Sequence, residues 1–295
     1  MPPRPGPPPP PPVPHRRIVA RRVGALVVLG LAGLAMFAIV KAVHRGSRAP
    51  ATTAVAPAPK PFRIVFPEGF TRLDMGRRIG VVAKIAERER HKWVRLSERA
   101  YLVASDPRRI RGFGPARRPL EGFLFPATYE FLRSTTSAQL VQKQLAAFRQ
   151  NWKHVDLSYA RKKNLTPYDV LIIASMVERE ALSPQERPLI AAVIYNRLHA
   201  HMPLGIDATI RYGLHVPGTK ALRQSQLASD NPYNTRKFLG LPPTPIGNPG
   251  LASIQAAAHP ARVDYLYFVR KPDKVHHYFT ASFEDFVNHE HQYGY

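Results

Sequence analysis

The 295 residues are enough for more than one structural unit once non-globular stretches are set aside. Lys+Arg number 43 against 20 Asp+Glu, a net charge of +23 at pH 7 that calls for an anionic partner: nucleic acid, phospholipid headgroups or an acidic wall polymer. The absence of cysteine excludes disulfides, thiolate chemistry and Cys-based zinc sites.

Residues 1–14 are almost all proline, a composition that builds no core and stays extended. After Arg16, Arg17, Arg21 and Arg22, no residue from Val23 to Val40 is charged. As a helix this run is roughly 27 Å long, close to the hydrocarbon thickness of a bilayer, and it reads as one membrane-spanning segment. A cleaved signal peptide would have a shorter apolar run and a small-x-small site, whereas Lys41-Ala-Val-His-Arg45 follows here. Arginine is denser before the span than after it, so the N-terminus is expected in the cytoplasm and the remainder outside. Gly46 to Pro61, rich in Ala, Pro and Thr, reads as a semi-extended linker.

Folded sequence is expected to begin with the strand Phe62-Arg-Ile-Val-Phe66 and the turn Pro67-Glu-Gly69. Helices are predicted over 72–90 and 97–104, the second with Ser97 as N-cap. Gly112 to Pro119 is a basic join, and the apolar, aromatic stretch 120–131 reads as strand and turn. Ser137 to Trp152 has the spacing of an amphipathic helix. Further helices are predicted over 189–199 and 251–259, with a loop and a short helix over 202–213 and another short helix over 225–230. Asn231–Thr235 and Gly240–Gly250 are dense in turn formers, and the interspersed Tyr233, Leu241 and Ile246 argue for ordered loops. Tyr265–Val269 and His276–Thr280 read as the strands of a hairpin.

The stretch Thr166 to Glu180 has a marked helix start: Thr166 as cap, Pro167 in the first turn, Asp169 at the positive end of the dipole. Val170 to Ala174 is apolar on several faces, the pattern of a helix buried in a core. Two carboxylates close it. Glu180 continues the row Ile173, Met176, Val177, and Glu178 the row Leu171, Ala174, Ser175. A carboxyl on the first row is partly desolvated, which raises its pKa and suits it to general-acid work near neutral pH; Arg179 opposes that. The competing reading makes both glutamates solvated residues where the helix leaves the core.

Leu120-Glu-Gly-Phe-Leu-Phe-Pro-Ala-Thr-Tyr-Glu-Phe131, Ala174-Ser-Met-Val-Glu-Arg-Glu180, Ala191-Ala-Val-Ile-Tyr-Asn-Arg-Leu198 and Met202-Pro-Leu-Gly-Ile-Asp-Ala-Thr-Ile-Arg-Tyr-Gly213 occur in that order. Pro232-Tyr-Asn-Thr235, Gly240-Leu-Pro-Pro-Thr-Pro-Ile-Gly-Asn-Pro-Gly250 and Ala256-Ala-Ala-His-Pro260 follow them. Together they resemble the endolytic murein transglycosylases of bacteria, the YceG-like (MltG) family, over about residues 120 to 285. The resemblance implies an α+β catalytic domain behind a single N-terminal transmembrane helix and a small LysM-like module. The expected boundaries are a cytoplasmic tail at 1–22, the span at 23–43, a linker at 44–61, the module at 62–111 and the catalytic domain at 112–295.

The implied reaction cuts nascent peptidoglycan between N-acetylmuramic acid and N-acetylglucosamine without water, leaving a 1,6-anhydro end. One carboxyl protonates the glycosidic oxygen and then takes the proton of the sugar's own 6-hydroxyl. Because the nucleophile is intramolecular, the second carboxylate of paired glycosidases is not required. The family's Glu-x-Glu pattern assigns catalysis to Glu180, with Glu178 tuning the site or tying down a loop. Asp207, Thr209, Tyr212, Asn234, Thr235 and Asn248 match the remaining motif positions and, by type, bind sugar hydroxyls and acetamido groups. Asp and Asn beside Pro and Gly also simply build turns. His277 lines the cleft or is a strand histidine bonded to backbone.

No metal and no organic cofactor is implied. The partners implied are glycan strands, the inner membrane through the single span, and peptidoglycan synthases. A non-catalytic wall-binding or division scaffold is the alternative from another class. Nucleic-acid binding has charge alone behind it, with no recognisable binding signature, and His199-Ala-His201 and His289-Glu-His291 lack metal-hydrolase spacing.

Overall fold

The structure, a computed structural model, describes residues 6, 33–42, 60–91 and 93–295. The chain divides into two compact units, Met1–Ala58 and Pro59–Tyr295. In the first, residues 33–42 are helical; the rest of the expected span, the tail at 1–22 apart from Gly6, and nearly all of the linker lie outside the described residues. Among the described residues no helix is long and apolar enough to cross a membrane.

The second unit is α+β. Strand β1 (Phe62–Val65) pairs antiparallel with β4 (Thr128–Phe131), Phe62 opposite Phe131 and Ile64 opposite Tyr129. The rings of Phe62 and Phe131 stack with centroids 5.2 Å apart. Helices α1 (Arg72–Arg90) and α2 (Glu98–Ala104) follow β1, each with the cap its sequence offers: Thr71 with Asp74, and Ser97. Met75, Ile79 and Tyr101 from these helices join Phe123, Leu140 and Leu171 in one core cluster. The segment expected as a separate module at 62–111 therefore shares its sheet and its core with residues beyond that boundary.

Strand β2 (Arg108–Arg109), just before the basic join, and β3 (Arg117–Arg118), inside it, form a short antiparallel pair. Helix α3 (Ser137–Trp152) has the expected limits, turning Leu140, Val141, Leu145 and Phe148 inward. After the short α4 (Ser158–Lys162), helix α5 (Pro167–Glu180) runs through the centre and packs against α6 (Arg187–His199), α7 (Asp207–Gly213) and α9 (Leu251–Ala258); α8 (Gln224–Leu227) lies between the last two in sequence. Every residue of α5 from Val170 to Val177 is buried, as its all-round apolar sequence requires. Each large apolar side chain there contributes about 1.5–3 kcal/mol of burial free energy.

Strands β5 (Tyr267–Arg270) and β6 (His277–Thr280) form the expected hairpin, with Tyr267 opposite Thr280 and Arg270 opposite His277. The last element, α10 (Phe283–Tyr293), starts where the Ser282 hydroxyl accepts from the Asp285 N–H and ends at Gly294 in the left-handed region.

Candidate active site

Glu180 is the last residue of α5, half-buried, and faces an open cleft of about 840 Å³. Asp207 and Ala208 at the start of α7, Arg197 of α6, Arg270 of β5 and His277 of β6 also line it. Burial pushes the Glu180 carboxyl above its ordinary value. The positive charge of Arg270 opposes that rise, the negative charge of Asp207 adds to it, and the Ala208 N–H and Arg179 favour the carboxylate. A carboxyl that holds its proton more tightly than usual, with cationic and N–H groups ready for the anion left after its transfer, is the equipment of a general acid that must also act as base.

A pair of threonines fixes the turn that carries Asp207 and Ala208. Thr209 Oγ1 donates to the Ile206 carbonyl at 2.7 Å, the Ile206 N–H donates to Thr235 Oγ1 at 3.1 Å, and the two hydroxyls lie 3.0 Å apart. Asp207 is itself held by Arg236, whose Nε and Nη2 both reach Oδ1 at 2.7 Å.

Glu178 points elsewhere. Its Oε2 accepts from the Gly250 N–H at 2.9 Å and its Oε1 is 3.8 Å from Arg187 Nη2, so it holds the 240–250 loop. A side chain at Gly250 would put Cβ 1.8 Å from Glu68 Oε1. Two carboxylates two positions apart on one helix thus serve opposite sides, as a rotation of about 100° per residue dictates.

Of the remaining sequence candidates, Asp207 and His277 share the cleft with Glu180. His277 is buried; its Nδ1 meets Glu186 Oε2 at 2.7 Å and its backbone N–H donates to Glu186 Oε1 at 2.9 Å. Burial lowers the imidazole pKa below the ordinary value, and the Glu186 carboxylate pulls the other way. Tyr212 lines a neighbouring cavity and donates to Glu121 Oε2 at 3.2 Å.

Thr209, Asn234, Thr235 and Asn248 are all buried, and their polar side-chain atoms have partners within the protein. Asn234 Nδ2 donates to the Leu227 and Ser229 carbonyls, and Asn248 Nδ2 to Phe70 O and Glu121 Oε1. Polar side chains in Pro/Gly-rich segments are needed to satisfy backbone that leaves helix and sheet, and these do that.

Sequence reasoning passed over Glu121 and Glu186. Glu121 is 4% exposed, accepts from the Arg72 N–H at 2.9 Å and Asn248 Nδ2 at 2.8 Å as well as from Tyr212, and is pushed by burial up to about 7. An acid inside the apolar run Leu120 to Phe125 was the available signal. Glu186, in a short 3₁₀ turn, gave none. Among the described residues, no group of His, Asp and Glu side chains is arranged to hold a metal ion.

A family model described as the YceG-like family matches residues 33–292. A protein of Bacillus subtilis (strain 168) named endolytic murein transglycosylase is 40% identical over 155 residues, 52% of this chain and 43% of its own length. One of the same name from Streptococcus pneumoniae (strain ATCC BAA-255 / R6) is 32% identical over 239 residues, 75% of this chain and 43% of its own length. The chain thus spans less than half the length of these relatives. A 2.6 Å crystal structure of a yceG-like protein from Listeria monocytogenes superposes with a TM-score of 0.61 at 28% identity, covering 77% of this chain and 75% of that one.

Proposed function

The chain belongs to the YceG-like family, and from that premise we propose that it is an endolytic lytic transglycosylase that cuts nascent glycan strands and so terminates their elongation. The names of the relatives support the reaction class. The observation that carries the reading is Glu180, a carboxyl whose pKa burial raises, set at the end of a rigid core helix in an open cleft beside Asp207, Arg197 and Arg270.

In the proposed reaction, protonated Glu180 gives its proton to the glycosidic oxygen as the bond to the muramic acid C1 breaks. The carboxylate then accepts the proton of the 6-hydroxyl while O6 bonds to C1. The products are a 1,6-anhydro end and a free 4-hydroxyl. No water is consumed and Glu180 is reprotonated. Arg270 and the Ala208 N–H stabilise the carboxylate between the two transfers.

Delivery to the substrate is part of the same reading. Residues 23–43 anchor the chain in the inner membrane with the N-terminus cytoplasmic, residues 62–111 are a LysM-like element contacting the wall, and peptidoglycan synthases are the neighbouring partners.

Digestion of uncrosslinked glycan strands by the full chain, with mass spectrometry of the products, tests the proposal. Anhydro-ended fragments are expected from the wild type and from Glu178→Gln, with a loss of at least about 100-fold in Glu180→Gln. Reducing ends would mean hydrolysis instead, with Asp207, which shares the cleft, as the candidate second carboxylate. Retained strand binding without any cleavage would establish the scaffold alternative.

A further inference from the structure

The cleft of Glu180 does not end at its own walls. Arg179, Arg211 and Gly218 line it and also line the neighbouring cavity of about 760 Å³ that contains Tyr212, so the two adjoin at the pair of arginines. The second cavity has two chemical zones. Phe70, Leu73, Leu102, Val216 and Ile246 give it an apolar surface. Arg77 and Arg78 on α1, together with Arg179, Arg211 and His215, give it a basic rim.

The cations of that rim are unequally engaged. Arg211 Nη1 is held by the Pro217 and Lys220 carbonyls, and Arg179 Nη1 by the Gly69 carbonyl at 3.4 Å. Arg77 is largely exposed, with Asp74 at 3.8 Å, and Arg78 is exposed with no ion pair or hydrogen bond among the described residues. The acids present are already occupied. Asp74 closes the cap of α1 through Thr71, and Glu121 accepts from Arg72, Asn248 and Tyr212. The cavity therefore presents net positive charge beside apolar surface.

We propose that this cavity is a binding site for the short acidic peptide carried by the substrate, and that it makes the enzyme selective for glycan bearing intact stems. In peptidoglycan the lactyl ether of each muramic acid carries a peptide with alanine methyls and free carboxylates. A bare sugar has neither. A pyrophosphate would use the rim and leave the apolar surface unfilled, whereas a stem fills both zones. Guanidinium groups suit carboxylates because their fork matches the two oxygens. The proposal rests on the glycan-cleaving reading of the Glu180 cleft, since a stem reaches the cavity only when its sugar lies beside that residue.

The test compares strands with intact stems against strands stripped by an amidase, using the full chain and Arg77→Ala/Arg78→Ala. The wild type is expected to prefer stem-bearing strands by about tenfold or more in kcat/KM, the effect of one or two charge-assisted contacts. In the double variant that preference is expected to fall toward unity. Equal cleavage of both strands by the wild type, or an undiminished preference in the variant, would overturn the proposal while leaving the reaction standing.

A binding arm separates the two readings. With Glu180→Gln as the host, the Kd of a muramyl peptide is expected to rise about tenfold on removing Arg77 and Arg78, and that of inorganic pyrophosphate to stay weak. Tight pyrophosphate binding lost in the same variant would replace the peptide by a phosphate ligand. If no strand is cleaved at all, the reaction reading fails and this arm still decides the peptide site.

Discussion

Glu121→Gln probes the buried acid that lines the Tyr212 cavity. In the unfolded chain this carboxyl ionises near 4.5, and in the folded protein near 7, because burial disfavours its charged form. Between those values the folded state keeps a proton that the unfolded state has released. Rising pH therefore favours unfolding, by about 1.36 kcal/mol per pH unit, and the rise from 4.5 to about 7 amounts to about 3 kcal/mol of stability lost by neutrality. Glutamine does not ionise, so the variant lacks this loss. Urea denaturation of both proteins from about pH 4 to about 8 reads it as the slope of the difference in unfolding free energy. The amide also places a donor where Arg72, Asn248 and Tyr212 all donate, which adds an offset independent of pH. The slope carries the test. For a unit of this size about 3 kcal/mol is roughly 6–12 °C in Tm. Wild-type and variant profiles that run parallel would refute the reasoning.

Asp207→Asn removes a charge that raises the Glu180 pKa, so the alkaline limb of kcat/KM, where the acid loses its proton, is expected to move to lower pH; an unmoved or upward-shifted limb would count against the coupling. Gly122→Ala is expected to cost about 2–5 kcal/mol in denaturant melts. Gly122 sits at φ +87°, and a Cβ would lie 2.7 Å from Pro245 Cγ and 3.1 Å from Leu171 Cδ2, combining left-handed strain with overpacking of the loop against α5. A loss under about 1 kcal/mol would mean that Pro245 yields freely.

What could be read from the chain was local. Thr166, Pro167 and Asp169 set the start of α5, and the alternation of its rows turned Glu180 toward one side and Glu178 toward another, a separation the folded protein keeps. The β5–β6 hairpin, too, needs only neighbouring residues. What escaped was long-range. Nothing near Phe62 announces Phe131, 69 positions along the chain, as its partner. Residue type reveals the hydrogen-bonding capacity of Thr209 and Thr235 but not that the two hydroxyls engage each other and the Ile206 backbone. Glu186 became visible only once His277, far along the chain, was placed against it. Helix α10 was missed because its polar face dominates the sequence and its apolar contacts, Phe283 and Phe286 on Tyr267, belong to the hairpin.

The Asn248 side chain has a kinetic consequence. Its bonds reach Phe70, Glu121 and Leu124, at sequence separations of 178, 127 and 124 residues. Closing such loops costs chain entropy before any bond rewards it, so these links belong to the last stage of folding. A residue placed so late stabilises the native state and hardly at all the barrier before it. Weakening it leaves the rate of folding nearly untouched and lets the finished molecule open faster. Asn248→Ala is therefore expected to raise the unfolding rate more than it lowers the folding rate, read from the two arms of a chevron plot.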